Sequence, residues 1–214
     1  MNLGRYLPHR TIAVALGLAA SIAGAPAHPV TAELPPTPAT IESCLVPGCD
    51  ATAFIVKAIE DARHEIRGQA YNFTSAPIID ALLRARQRGV DVAMLLDKIA
   101  PCQKGAGADV LAAAGIPVMI DDSPRIAHNK VLVVDRAQVI LGSFNFSAAA
   151  MRNAEDTNLV TAPAVAAHYL AYWEARQAVS TPYRDRIRWC SRSGFARGVP
   201  VGLTAGAEKT TFGP

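Results

Sequence analysis

Four side chains that can bind and attack a phosphate group occur at two matched spacings in the second half of the sequence. His128 and Lys130 lie two residues apart before an apolar run, and Ser143 and Asn145 lie two residues apart after the next apolar run. An imidazole can act near neutral pH as a nucleophile or as a general acid. Ammonium, hydroxyl and amide groups can hold phosphate oxygens as negative charge develops. The set predicts phosphoryl chemistry that requires no metal ion or other cofactor.

Two short elements must position these side chains. The apolar runs 131–134 and 138–142 flank the short polar segment 135–137, which predicts a β-hairpin. Because side chains alternate between the faces of a strand, both members of each pair share a face, and antiparallel pairing makes the two pairs neighbours. Asp135 would lie about 16 Å from Lys130 along an extended strand and on the opposite face. We therefore predict that Asp135 is structural.

The spacing HxK, four residues, Asp, six residues, GSxN resembles the motif of the phospholipase D superfamily, and it is complete between His128 and Asn145. A single copy in a short chain resembles the small bacterial phospholipase D-like endonucleases, over about residues 53–183. Asp135 and Gly142 are then structural motif residues. The resemblance implies that Glu155 is the carboxylate that accepts a hydrogen bond from the catalytic imidazole.

The sequence around that glutamate does not by itself select it. Asp156 is the neighbouring alternative, and ordinary surface solvation is open for both carboxylates. The resemblance also implies a covalent phosphohistidine, formed by one histidine while a second protonates the leaving alcohol. One imidazole cannot be nucleophile and acid at the same moment, so a chain with one motif is predicted to form a two-fold homodimer that shares the active site.

Substrate contacts are expected from Arg125 and Phe73. The formal net charge is +3, and loss of residues 1–27, which hold two arginines and no acidic residue, lowers it to +1. Attraction for a polyanion must therefore come from a local patch. The candidates for this patch are Arg125, Lys130, Arg136 and Arg152.

Helical and extended patterns alternate along most of the chain. They predict a layered α/β/α sandwich with a mixed, mostly parallel central β-sheet. The predicted helices are residues 52–63, 77–88, 108–114, 147–152 and 164–178, and the predicted strands are residues 65–73, 90–96, 117–120, the hairpin and a last strand within 153–160.

The ends of the chain have a different composition. Residues 1–27 combine basic residues, an apolar run and Ala-Pro-Ala, as in a secretory signal peptide. The run of about 14 residues is shorter than the ~20 that span a bilayer, so no stable membrane anchor is expected. We predict a Pro-rich linker at 28–49, a catalytic domain at 50–190, a flexible tail at 191–214, and export to the periplasm or beyond the cell.

All four cysteines lie in the part predicted to be exported, where disulfides form. Four cysteines allow three pairings. The turn-forming segment between Cys44 and Cys49 favours a bond between them, which leaves Cys102 for Cys190. Zinc binding is a weaker alternative, because no clustered histidines accompany the cysteines.

Three functions compete at this point. The first is a metal-independent phosphodiesterase that cleaves DNA, with RNA as a further substrate class. The second is a phospholipase D or phosphatidyl transferase acting on phospholipid, and the third is a non-catalytic nucleic-acid-binding module. A magnesium site built from Asp97, Asp121, Asp122 and His128 ranks below them, because no spacing brings these carboxylates together.

Overall fold

The structure is a computed structural model that describes residues 39–184 and 189–190. Its strands are β1 (Thr40–Val46), β2 (Glu65–Ala70), β3 (Asp91–Asp97), β4 (Val118–Asp121), β5 (Lys130–Val134), β6 (Gln138–Gly142), β7 (Glu155–Thr161) and β8 (Thr181–Pro182). Its α-helices are α1 (Ala51–Asp61), α2 (Ala76–Gln87), α3 (Ala108–Ala113) and α4 (Pro163–Gln177), with 3₁₀ turns at Ala100–Cys102 and Ala150–Arg152. The predicted signal peptide and C-terminal tail lie outside the described residues.

One eight-stranded sheet forms the centre, in the order β1-β7-β6-β5-β2-β3-β4-β8. The sheet is mixed, as predicted, but the prediction that it is mostly parallel is wrong. Only β2 with β3 and β3 with β4 are parallel, and the other five pairs are antiparallel. A parallel pair needs a crossover connection, which α2 and α3 supply, whereas the short links from β5 through β7 allow only antiparallel neighbours.

Helices cover both faces of the sheet, which confirms the α/β/α sandwich. Helices α1, α2 and α3 pack on one face, and α4 packs on the other against β5 and β6. All five residues of β5 are buried, as expected for a strand with apolar contacts on both faces. The hairpin at the centre of the motif is therefore held rigidly by two cores.

The N-terminal boundary differs from the prediction. The segment 28–49 was predicted to be a linker, but residues 40–46 of it form the edge strand β1, which pairs with β7 along its whole length. The reason is a short alternating pattern, since Cys44 and Val46 face the core and are 1% and 5% exposed. Proline and threonine around it concealed that pattern.

Both predicted disulfides are confirmed. Cys44 bonds to Cys49 and Cys102 bonds to Cys190, so these cysteines are not available to zinc. The first bond closes the turn between β1 and α1, and the second ties the C-terminal segment to the loop after β3. Across the described residues, no helix has the length and apolar character needed to cross a membrane.

Candidate active site

The predicted site residues follow from the ends of three neighbouring strands. His128 precedes β5 and Lys130 begins it, Ser143 and Asn145 follow β6, and Glu155 begins β7. Because β5, β6 and β7 are antiparallel neighbours, the start of β5, the end of β6 and the start of β7 lie at the same edge of the sheet. The hairpin thus places both halves of the motif at that edge.

His128 and Lys130 are in direct contact. The Nζ atom of Lys130 lies 3.0 Å from Nδ1 of His128 and donates to the carbonyl oxygen of His128 at 2.7 Å. An ammonium can only donate, so Nδ1 acts as acceptor and a neutral ring carries its proton on Nε2. His128 is exposed, whereas Lys130 is only 6% exposed. The site presents an accessible imidazole above a largely buried cation.

Burial changes the chemistry of this lysine. Desolvation lowers the pKa of Lys130 below its ordinary value, and the negative charge of Glu155 opposes that shift. A cation in such surroundings lacks full hydration. It is therefore well placed to interact strongly with the oxygens of a bound phosphodiester.

Tyr71 completes the surroundings of this pair, although no sequence pattern singled it out. Its ring centroid lies 4.5 Å from that of His128, with the planes tilted by 52°, and Nζ of Lys130 lies 5.3 Å from the same ring. The residue follows β2 within Tyr-Asn-Phe-Thr. Sequence pattern alone could not show which of its two aromatic residues faces the site.

Phe73 does not face the site, so the prediction that it contacts substrate is wrong. It is 1% exposed and forms an isolated bridge with Phe146, another residue of the main core. An aromatic ring at the end of a strand gains more from complete burial in that core than from contact with solvent. Tyr71, which is half-buried, is the aromatic residue at the site.

Glu155 makes contacts different from the one predicted. One carboxylate oxygen accepts the hydroxyl of Ser143, and the other accepts Nδ2 of Asn153 at 2.9 Å. Ser143 Oγ also accepts the backbone N–H of Asp156 at 3.0 Å. Among the described contacts Glu155 is thus bound to Ser143, while Nδ1 of His128 faces Lys130. The predicted bond from the imidazole to this carboxylate is not made within one chain.

Gly142 and Asn145 explain the rest of the GSxN segment. A Cβ atom at Gly142 would lie 2.3 Å from the backbone oxygen of Asp156 on β7, so any side chain there would displace the neighbouring strand. Asn145 is half-buried, and its Oδ1 atom has no hydrogen-bond partner among the described residues. A buried amide oxygen without a donor is costly unless a donor from a ligand or from another chain satisfies it.

Asp135 lies at the other end of β5, as predicted. Its carboxylate accepts the backbone N–H groups of Arg63, His64 and Glu65 at 2.7 to 2.9 Å. Partial burial raises the pKa of Asp135, but the three N–H donors outweigh burial and hold the pKa below its ordinary value. This aspartate joins the hairpin to the start of β2.

The carboxylates of the magnesium alternative are engaged with their own chain. Asp97 accepts the backbone N–H of Ala127 at 2.6 Å and that of Ile99 at 2.9 Å, and Asp121 pairs with Arg176. In the described part of the chain, no group of three His, Cys, Asp or Glu residues is arranged to hold a metal ion. Asp97 instead anchors the loop that leads to His128.

The four candidate cations do not form one patch, because they lie at opposite ends of the strands. Arg125 is exposed on the loop before His128, and Arg152 is exposed on the turn between β6 and β7. Arg136 is wrongly placed in the predicted patch, because it lies in the hairpin turn at the far end of β5 and pairs with Glu65 at 2.7 Å. Arg136 is close to Lys130 in sequence, but the length of β5 separates the two residues in space.

Comparison with known proteins places this geometry in a family. Residues 55–176 match the family model described as "Cardiolipin synthase, PLD-like domain". A phospholipase D of Rickettsia typhi is 42% identical over 139 residues, which are 64% of this chain and 68% of that protein. The human mitochondrial cardiolipin hydrolase is 30% identical over 130 residues, 61% of this chain and 52% of that protein.

A solved structure extends the likeness to the fold. Nuc from Salmonella typhimurium, a phospholipase D family member, superposes with a TM-score of 0.65 at 33% identity, over 69% of this chain and 100% of Nuc. The family model spans more than half of the chain and includes the whole motif. The chain therefore belongs to the phospholipase D superfamily, whose members are phosphodiester hydrolases and transferases.

Proposed function

We propose that the protein is an exported, metal-independent phosphodiesterase that cleaves DNA, with RNA as a further substrate, through a phosphohistidine intermediate. The observation that carries this proposal is the exposed imidazole of His128 held 3.0 Å from the buried ammonium of Lys130. A nucleophile and a poorly hydrated cation side by side are what in-line attack on a phosphodiester requires.

The first step is attack by Nε2 of His128 on phosphorus. A P–N bond forms, the P–O bond to the leaving alcohol breaks, and that oxygen takes a proton from a second imidazole. Attack requires a lone pair on Nε2, so Lys130 must turn from Nδ1 to the phosphate oxygens and the ring proton must reside on Nδ1. Water, deprotonated by the second imidazole, then cleaves the P–N bond and restores His128.

The second imidazole is proposed to come from a second copy of the chain. The described residues contain two other histidines, and neither is placed to serve: His64 precedes β2 at the Asp135 end, and His168 is exposed on α4. A two-fold dimer that brings two His128 residues together supplies both roles. Oδ1 of Asn145 lacks a donor among the described residues, which is consistent with a site that a donor group of a second chain completes.

Nucleic acid is the proposed substrate class. Arg125 and Arg152 are exposed on loops at the same strand ends as His128 and Lys130, where they can contact a phosphate backbone. The likeness to Nuc, which extends over 100% of Nuc and 69% of this chain, is a further support. The two disulfides support export, since such bonds persist in oxidising compartments.

Phospholipid is the second candidate substrate. The Rickettsia typhi relative is a phospholipase D, and Ile126, two residues before His128, is 48% exposed. An exposed isoleucine beside Arg125 could lie against lipid as readily as against a nucleobase. A test must therefore include both substrates.

One assay separates these possibilities. Mature protein is incubated in excess EDTA with single-stranded DNA, duplex DNA, RNA and phosphatidylcholine vesicles, beside His128→Ala and the matched control His168→Ala. We expect nucleic-acid cleavage that persists in EDTA, is lost in His128→Ala and is retained in His168→Ala.

Each other outcome overturns a stated part of the proposal. Cleavage of vesicles alone would establish the lipid alternative, and dependence on added magnesium would refute metal independence. DNA binding without cleavage would indicate a non-catalytic module. Sedimentation of the active protein tests the dimer, since a fully active monomer would contradict the shared site.

A further inference from the structure

We infer that Tyr71 is a positioning residue of the active site, which holds the imidazole of His128 and the ammonium of Lys130 side by side. The inference rests on the proposed phosphodiesterase chemistry but not on the choice between nucleic acid and lipid. One ring contacts both groups: it is 4.5 Å from the His128 ring, centroid to centroid, and 5.3 Å from Nζ of Lys130.

The backbone fixes where this ring can lie. Tyr71 directly follows β2, whose last residue, Ala70, is the register partner of Lys130 on β5. The N–H of Tyr71 donates to the carbonyl oxygen of Asn129 at 3.1 Å, which extends the pairing of the two chain segments by one step. The backbone of Tyr71 is thereby bonded to Asn129, the residue between the two motif residues, and its ring extends from a point beside both.

The chemistry explains why such a support is needed. His128 is exposed and Lys130 carries a positive charge in a site that disfavours it, so neither side chain is confined by apolar packing alone. An aromatic face attracts a cation and packs against an imidazole plane, so one side chain restrains both. The ring also gives the ammonium a favourable contact while it turns from Nδ1 toward a phosphate oxygen.

The exposed fraction argues against a purely structural role for this tyrosine. Phe73, two residues later, is fully within the core, whereas Tyr71 is half-buried and its ring lies beside the exposed His128. Its ring is therefore placed to restrain groups that face the substrate. Tyr71 need not itself touch the reacting atoms.

Kinetics of three variants test the inference on bis(p-nitrophenyl) phosphate, with DNA and phosphatidylcholine as parallel substrates. Tyr71→Leu should lower kcat about 10- to 100-fold, the cost of a small misplacement of reacting groups, while KM changes less than about threefold. Tyr71→Phe, which keeps the ring, should restore kcat to within about threefold of the wild type. Tyr172→Leu, at an exposed tyrosine on α4, is the matched control and should match the wild type.

The outcomes are distinguishable from failure of the proposed function. Unchanged kcat in Tyr71→Leu overturns the inference, and an equal loss in Tyr71→Phe would assign the effect to the hydroxyl and overturn it too. Loss of kcat that parallels a lower folded fraction, measured by circular dichroism, would make the role structural. If the wild type hydrolyses none of the three substrates, the proposed function fails, and absence of proton Overhauser contacts between Tyr71 and His128 would then refute the positioning separately.

Discussion

The two ends of β5 carry the two parts of one motif, and their polar groups differ in how far they are hydrogen-bonded within the chain. At the hairpin end, Asp135 accepts three backbone N–H groups, and its pKa is lowered by them. At the other end, burial lowers the pKa of Lys130, His128 is exposed, and Oδ1 of Asn145 lacks a partner among the described residues.

The difference shows how a compact motif divides into scaffold and chemistry. At the Asp135 end the hydrogen-bonding capacity is used within the chain, so those contacts stabilise the fold. At the Lys130 end a buried acceptor remains without a donor, which costs stability, and the ammonium of Lys130 is a donor that can turn to a phosphate oxygen. Substitutions at the two ends should therefore affect different measurements.

Among the variants that compare Lys130 with Asp135, Lys130→Met should have the largest effect on activity. Removal of a cation that stabilises developing charge should lower kcat about 10²- to 10³-fold, as measured on bis(p-nitrophenyl) phosphate. Because folding disfavours the charged form of Lys130, the protein should become no less stable, and the urea midpoint at neutral pH should stay the same or rise. A clear fall in that midpoint would show that the lysine supports the fold.

Asp135→Ala should have the reverse effect. Three backbone N–H groups would lose their acceptor, and since water reaches some of them the loss in free energy of unfolding should be about 2 kcal/mol. The kcat per folded molecule should stay within about twofold of the wild type. Asp80→Ala, at an exposed aspartate on α2, is the matched control for urea unfolding. A large fall in kcat with unchanged stability would place Asp135 in the active site.

The sequence alone could predict which residues support the fold and which lie at the site only where short-range geometry determines their positions. The length of β5 was enough to predict that Asp135 lies far from Lys130, and the structure confirms this. Turn chemistry and the number of cysteines were enough to predict both disulfides, which are also confirmed. The choice between Tyr71 and Phe73 depends on which core each ring meets, and the contact between Glu155 and Ser143 depends on the register of β6 and β7. Such details arise from long-range packing, which residue patterns do not contain.

The sheet shows the same limit. Alternation of helices and strands identified the layers, but the order of the strands decides which pairs are parallel. β1 was missed because its alternating pattern is short and gains stability only when β7 is beside it. Chemistry concentrated in one hairpin was therefore easier to predict than the edges of the sheet that carries it.

The pH dependence of stability should distinguish the two ends further. The pKa of Asp135 is lower in the folded than in the unfolded protein, so its contribution is fully present above the unfolded pKa of about 3.9 and is lost as pH falls through the folded value. The difference in urea midpoint between wild type and Asp135→Asn should be constant from about pH 6 to 8 and shrink below about pH 4. A difference that grows on acidification would contradict the direction of the shift.

The smallest expected effect concerns the charges at the two ends. Arg125→Ala removes an exposed cation beside His128 and should weaken DNA binding a few-fold, with a lower dependence on salt concentration. Arg136→Gly should leave DNA affinity unchanged, because β5 separates it from the site. The free energy of unfolding of Arg136→Gly should differ from that of the wild type by less than about 1 kcal/mol, because two small effects oppose each other. Glycine relieves the positive φ of 55° at this position. The same substitution removes the ion pair between Glu65 and the mostly exposed arginine. Binding measured by fluorescence anisotropy at several salt concentrations checks both variants, and an equal loss of affinity in both would mean that DNA contacts the hairpin end as well as the Lys130 end.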